Sequence, residues 1–169
     1  MMRWLWSFIQ NSRGAAAAEM VLMLPLLVIL LFVTFEGGYF LWSEHKVVKG
    51  VRDGARYAGR LDFSNYTCSS SAADATATTN IKNLTRTGEL SGGTAVVRGW
   101  QNAHITVSVS CVTGQGGLYD SVSGNAPRVT VSAAVPYPSS PLSDLVSVLG
   151  FDSGSINLRA SAQSSVMGL

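Results

Sequence analysis

Few residues in this chain are equipped for chemistry, and their spacing decides what each could do. The two histidines, His45 and His104, stand about sixty positions apart, and neither has a carboxylate or cysteine at the spacing a metal site uses. Both read as structural or surface side chains. The acids Asp62, Asp74, Glu89, Asp120, Asp144 and Asp152 are scattered along the polar part of the chain, whereas catalysis needs titratable groups that converge. The sequence contains no GxSxG elbow, no CxxC pair and no phosphate loop. Gly114-Gln115-Gly116-Gly117 lacks the lysine and the following helix that cradle a phosphate, and reads as a hairpin loop. The expectation is a protein that is not an enzyme and holds neither metal nor cofactor.

Two other features carry more. Cys68 and Cys111 both fall in a segment rich in Ser, Thr and Gly and poor in charge, the composition of exported domains. A bond between them would close a loop of about 44 residues, for which the chain-entropy model gives about 4 kcal/mol; a pair of buried free thiols is the alternative. Glu19 stands against an apolar run. A carboxylate at the centre of a bilayer costs about 2.5–3.5 kcal/mol on insertion scales, and less near the interface, so it needs a partner. No basic residue shares its helical face within the run. Were the chain cut after Gly14, the new α-amino group of Ala15 would be a cation four residues ahead of Glu19. A neighbouring chain's amino terminus could then meet the carboxylate where a low dielectric strengthens the pair.

The element that must position Glu19 is readable from hydropathy. No charge occurs over the sixteen residues from Met20 to Phe35, and the apolar stretch reaches twenty-one if it begins at Ala15 and tolerates Glu19. At about 1.5 Å per residue the longer version covers the ~30 Å hydrocarbon core of a membrane. A cleavable secretory signal would need small residues after the apolar core, and Thr34-Phe35-Glu36-Gly37-Gly38 does not supply them. A core helix of a soluble protein would show a polar face. A membrane-spanning helix is therefore predicted. Trp4, Trp6 and Phe8 before the run, and Tyr39, Phe40 and Trp42 after it, match the aromatic belts of membrane interfaces. Orientation is contested by two signals. Arg3 and Arg13 precede the run while Lys46, Lys49, Arg52, Arg56 and Arg60 follow it, which by the positive-inside rule would put the C-terminal side in the cytoplasm. The cysteines argue for export, and a single pass with an extracytoplasmic C-terminal domain is expected.

Past the run, Val47, Val48, Val51, Ala55 and Ala58 recur at helical spacing, with Lys49, Arg52, Asp53, Arg56 and Arg60 on the other side. The helix is expected to continue to residue 60, with local melting or bending at Pro25 and Gly37-Gly38. Gly50, Gly54 and Ala58 form a small-residue row that permits close approach of another helix. A short helix is predicted through Ala73, Ala77, Ile81 and Leu84 with its stop at Thr87-Gly88. Alternation predicts strands through Ile105, Val107, Val109 and Cys111 and through Val129, Val131, Ala133 and Val135, and weaker strands at Ala95 to Arg98 and Ile156 to Ala162. Ser140-Pro141 opens a further predicted helix with Leu142, Leu145, Val146 and Leu149 on one side and Gly150 as its stop. The sum is α+β: a long N-terminal helix packed on a small antiparallel sheet. Only 13% of residues are charged and the net charge is +2, with no run of like charges, which disfavours disorder and solvated tails and gives no footprint for nucleic acid.

The block RGAAAAEMVLMLPLLVILLFVTFEGGYFLW followed by KGVRDGARYAGR resembles the TadE-like minor pilins, or pseudopilins, of bacterial tight-adherence type IV pili, over about residues 13 to 60. The resemblance implies a type IV pilin-like arrangement with a leader at 1–14, a transmembrane and amphipathic helix at 15–60 and an extracytoplasmic α+β domain at 61–169. It implies cleavage after Gly14 by a prepilin peptidase of the bacterial inner membrane, with Ala15 as the new terminus and Glu19 at the fifth mature position. Met20 departs from the family pattern, in which an aromatic commonly follows the glutamate. The implied subunit-packing residues are Glu19 and Pro25. The implied partners are the peptidase, other minor pilins and the major pilin, the assembly platform of the inner membrane, and membrane lipid. An uncleaved inner-membrane scaffold or binding protein of a secretion apparatus is the competing reading.

Overall fold

A computed structural model describes residues 14–137 and 156–168. The elements are helix α1 (Ala15–Arg60), the two-residue strands β1 (Tyr66–Thr67) and β2 (Ala72–Ala73), helix α2 (Ala75–Thr87), and strands β3 (Ile105–Val112), β4 (Ala126–Pro136) and β5 (Asn157–Ser165). Short 3₁₀ turns lie at Phe63–Asn65, Asn102–His104 and Gly117–Val122. The arrangement is α+β, with a long apolar N-terminal helix followed by a small helix and antiparallel sheets. The chain divides into two compact units between Tyr39 and Phe40, so α1 contributes to both. The helix predicted from Ser140 to Gly150 lies outside the described residues.

In the first unit α1 runs unbroken through Pro25 and Gly37-Gly38, and the local melting expected there does not occur. Pro25 removes a single N–H, the one that would bond the Val21 carbonyl, and the surrounding Leu, Met and Ala residues are strong helix formers.

The second unit is built on a three-stranded antiparallel sheet in the order β3-β4-β5. Its register aligns Ile105 with Ala133 and Ala160, and Val107 with Val131 and Ala162, so the alternate residues of all three strands form one apolar face. The opposite face aligns Thr106 with Ser132 and Ser161, and Ser108 with Thr130 and Gln163. That difference between faces is what the period-two pattern encodes. The strand expected at Ile156 to Ala162 is β5, which extends to Ser165. No strand forms at Ala95 to Arg98. There the Val96 N–H bonds the Arg86 carbonyl, Gly99 takes a positive φ of 80°, and Val97 and Trp100 turn inward as plugs of the core.

The apolar face receives Val47, Val51, Ala55 and Ala58 of α1, which are fully or almost fully buried together with Ile81, Trp100, Val129, Val131, Val135, Leu158 and Val166. Helix α2 packs against the same stretch of α1. A Cβ at Gly54 would collide with the Thr85 side chain, and one at Gly50 with the Thr85 carbonyl, so the small-residue row serves contact within this chain. Thr85 meets both glycines and Ile81 meets only Gly54, the later of the two, so α2 runs antiparallel to α1. The start of α2 differs from the sequence expectation. Ala73 pairs with Tyr66 in the β1–β2 ladder, and the helix opens at Ala75 because the Asp74 carboxylate accepts the N–H groups of Thr76 (2.8 Å) and Ala77 (3.4 Å). Gly88 ends the helix in the left-handed region with φ at 83°.

Two further contacts close the domain around the end of α1. The Tyr66 hydroxyl donates to the Ala58 carbonyl at 2.6 Å, and burial pushes the phenol well above its ordinary range. The Met167 N–H donates to the Gly59 carbonyl at 2.8 Å.

Candidate functional site

The residues singled out in the sequence fall in two places. Gly14, Ala15, Glu19 and Pro25 lie at the start of α1, and Cys68 and Cys111 lie in the second unit.

Helix α1 opens at Ala15, immediately after Gly14. Gly14 is exposed, has no positive φ, and a Cβ added to it would meet nothing within 4 Å. Nothing in the described fold therefore calls for glycine at that position. Glu19 is the fifth residue of the helix, and the first turn holds no acid. An ordinary interaction with the helix dipole, which fades beyond the first turn, does not account for it. Glu19 is exposed, and no hydrogen bond or ion pair reaches it among the described residues.

Beyond Glu19 every large apolar side chain from Met20 to Phe35 is exposed, from 40% at Val28 to 79% at Leu22. Covering a Leu, Val, Ile, Phe or Met side chain is worth about 1.5–3 kcal/mol. Fourteen such residues left in water would forgo on the order of 20 kcal/mol or more, above the whole stability of a typical domain. The segment is made to be covered, by lipid or by other helices. Thr34 fits either surrounding, because its hydroxyl bonds the carbonyls of Leu30 (3.1 Å) and Leu31 (2.7 Å) and leaves no unmet donor. The sequence reading passed over Thr34, although a threonine three and four residues after carbonyls of its own helix is a recognisable signal.

Where the second unit begins, Trp42 is 54% exposed and the Lys46 ammonium lies 3.4 Å from its ring centroid. Lys46 also donates to the Val96 carbonyl at 3.2 Å. The (i, i+4) spacing of an aromatic and a lysine was the available cue. Lys49, Arg52, Arg56 and Arg60 form an exposed basic stripe, and Arg56 lies 3.8 Å from Asp53 in a surface pair of little energetic weight.

Cys68 and Cys111 are joined in a disulfide with their Cα atoms 5.7 Å apart, which fastens the turn between β1 and β2 to β3. His45 is exposed, and the His104 Nδ1 accepts the Gln101 N–H at 3.2 Å, a local turn contact. Among the described residues no group of three or more His, Cys, Asp or Glu could hold a metal ion.

Residues 14–56 match the family model described as TadE-like protein. The match begins at Gly14 and ends within the buried half of α1, so it characterises the helix and leaves the sheet domain outside. This N-terminal segment is consistent with a TadE-like, pilin-related protein anchored in a membrane by one helix, and the family suggests a part in a tight-adherence pilus with pilus-related partners. No curated protein and no solved structure gives a significant match to the chain.

Proposed function

We propose that this chain is a minor pilin, or pseudopilin, cleaved after Gly14 by a prepilin peptidase, whose apolar helix bundles with those of other pilins to initiate, cap or stabilise a tight-adherence pilus. One observation carries the reading: a helix that is exposed and uncharged from Met20 to Phe35 opens at Ala15, directly behind a glycine the fold does not require, and bears an acid at its fifth residue. In this reading Gly14 is read by the peptidase. Ala15 supplies the new ammonium, and Glu19 of a neighbouring subunit neutralises it. Two unit charges 4 Å apart attract by about 4 kcal/mol at an effective dielectric of ~20, enough to select one axial register between packed helices. Pro25 leaves the Val21 carbonyl without its helical donor, a polar group available to a neighbouring helix. The assembly platform of the bacterial inner membrane would feed the chain into the bundle. The Cys68–Cys111 disulfide supports an extracytoplasmic sheet domain, since such bonds persist in oxidising compartments. The role is structural, with no catalysis, metal or cofactor.

The test is the intact mass of the protein in sheared pili and in the membrane fraction. A chain beginning at Ala15 is expected in both. Recovery of a chain that keeps residues 1–14 would overturn the processing step and leave an uncleaved inner-membrane scaffold of a secretion apparatus. Glu19→Ala is expected to enter the membrane normally and to be lost from the pilus; assembly at the wild-type level would remove the carboxylate from the mechanism.

A further inference from the structure

The polar face of the β3-β4-β5 sheet is not uniform along the strands. At one end its side chains bond the sheet itself. The Gln163 amide donates to the Thr130 hydroxyl at 3.1 Å, and the Ser108 and Ser110 hydroxyls donate to the Thr130 and Arg128 carbonyls, each at 3.5 Å. At the other end the hydroxyls of the aligned row Thr106, Ser132 and Ser161 make no hydrogen bond among the described residues. Beyond that row Arg159 pairs with Ala134 across the β4–β5 ladder, and its guanidinium has neither an ion pair nor a hydrogen bond among the described residues. His104, one residue before β3, flanks Ala134 from the opposite side. Its Nδ1 accepts the Gln101 N–H at 3.2 Å, so the ring carries its proton on Nε2, and that donor meets no acceptor among the described residues.

These residues line one open groove of about 610 Å³, with the Ala134 methyl as its floor. No Asp or Glu lines it. Its walls stand on the two outer strands, about 10 Å apart at the backbone, so an arginine and a histidine can both reach a small anion above Ala134. A guanidinium without a partner, faced by a second N–H donor, is complementary to a carboxylate, which the planar arginine fork holds by two parallel bonds. Phosphate is a poorer match. Its sites draw on free backbone N–H groups at helix starts or nests, whereas the backbone of β4 is taken up by its two neighbours. The three hydroxyls lie about 5 Å apart from strand to strand, and each can donate and accept. That row suits a ligand whose own hydroxyl groups do both.

We propose that the groove over Ala134 binds a sugar acid. The carboxylate sits between the Arg159 guanidinium and the His104 Nε2–H, and the sugar hydroxyls bond Thr106, Ser132 and Ser161. Two sources offer this chemistry, a uronic acid unit of a polysaccharide and a free sugar acid. The site stands on the sheet alone and requires neither the membrane span nor cleavage after Gly14.

The test is a titration of the full chain, disulfide intact, in micelles of an uncharged polyoxyethylene detergent, followed by calorimetry. Galacturonate is the probe, with galactose and inorganic phosphate as comparisons. Saturable binding of galacturonate with a Kd of about 1 mM is expected, and galactose and phosphate should each bind at least about tenfold more weakly. Arg159→Ala is expected to weaken galacturonate at least about tenfold, the effect of losing a charged hydrogen-bond donor. Ala134→Glu, which sets an acid on the floor of the groove, should remove binding. Arg128→Ala takes an exposed arginine from the same face, about 20 Å along β4, and should leave binding unchanged. Ala134 and Arg159 are both exposed, so thermal midpoints of the variants should match wild type. Absence of saturable binding would overturn the proposal, as would equal losses from Arg159→Ala and Arg128→Ala, the mark of diffuse attraction. Galactose binding as tightly as galacturonate would remove the carboxylate from the site, and phosphate binding as tightly would overturn the sugar-acid assignment. With galacturonate bound as expected, a tetramer of galacturonate that binds more tightly than the monomer assigns the polysaccharide as the source, and one that binds no more tightly assigns the free acid.

Discussion

From Met20 to Phe35, helix α1 is uncharged on every side, and the glycines that follow at 37 and 38 have nothing within 4 Å of where a side chain would begin. From Phe40 to Arg60 the same helix buries a stripe of Ser43, Val47, Val51, Ala55 and Ala58, exposes a basic stripe, and has glycines at 50, 54 and 59 that lie against Thr85 and Ser164. One continuous backbone thus obeys two solvents. In the second half each small residue is explained by a partner in the chain. In the first half none is, and the explanation must lie in whatever surrounds the helix.

The sharpest way to break this contrast is to place the same charge in each half. Val51→Asp, a buried ion without a partner, is expected to remove upwards of about 4 kcal/mol and unfold the domain. Leu27→Asp is expected to move the domain's stability by less than about 0.5 kcal/mol in detergent, yet to weaken membrane insertion by about 3 kcal/mol. Denaturant melts of the full chain in micelles, read beside membrane fractionation, check both. Equal destabilisation by the two would erase the boundary at Tyr39.

Next in size is the disulfide, which belongs wholly to the second unit. Replacing Cys68 and Cys111 together by Ser is expected to cost about 2–5 kcal/mol in the same melt while leaving membrane association unchanged. A smaller effect separates the glycines. Gly54→Ala is expected to cost about 2 kcal/mol because the Thr85 side chain must move, whereas Gly38→Ala should strengthen the helix by up to about 1 kcal/mol. Helix content by circular dichroism and thermal midpoints report the signs.

The smallest effect sits at the start of α2. Backbone N–H bonds from Thr76 and Ala77 hold the Asp74 carboxyl below its ordinary value. The stability this gives is present above the unfolded pKa of about 4 and is lost as pH falls through the lower folded value. Wild type should therefore lose thermal stability between pH 4 and lower pH in excess of Asp74→Asn, and parallel curves would assign the cap no charge-dependent role.

What the sequence disclosed follows from which constraints are periodic. Val129, Val131, Ala133 and Val135 alternate because one face of β4 meets the core, and Val47, Val51, Ala55 and Ala58 recur because one stripe of α1 does. The two-residue strands β1 and β2 are too short to show any period. Ala95 and Val97 alternate as a strand would, but the signal comes from Val97 reaching inward from an irregular loop whose Val96 N–H is taken by Arg86. The row at Gly50 and Gly54 announced a close helix without saying whose, and only the fold identified α2. At the candidate site the residue types were legible, since an acid beside an uncharged run stands out by composition. Thr34 and the double role of Lys46 were hidden because both depend on local geometry.

The single covalent cross-link in the described residues bypasses α1, which is held in its domain by side-chain packing and by hydrogen bonds at Lys46, Ala58 and Gly59. A tensile load on the first half of the helix would pass along its backbone to the contacts of Gly50 and Gly54 with Thr85. It would fall on those contacts and on no covalent bond outside the helix backbone. Resistance to such a load within the second unit therefore depends in part on how closely Gly50 and Gly54 let α1 approach Thr85.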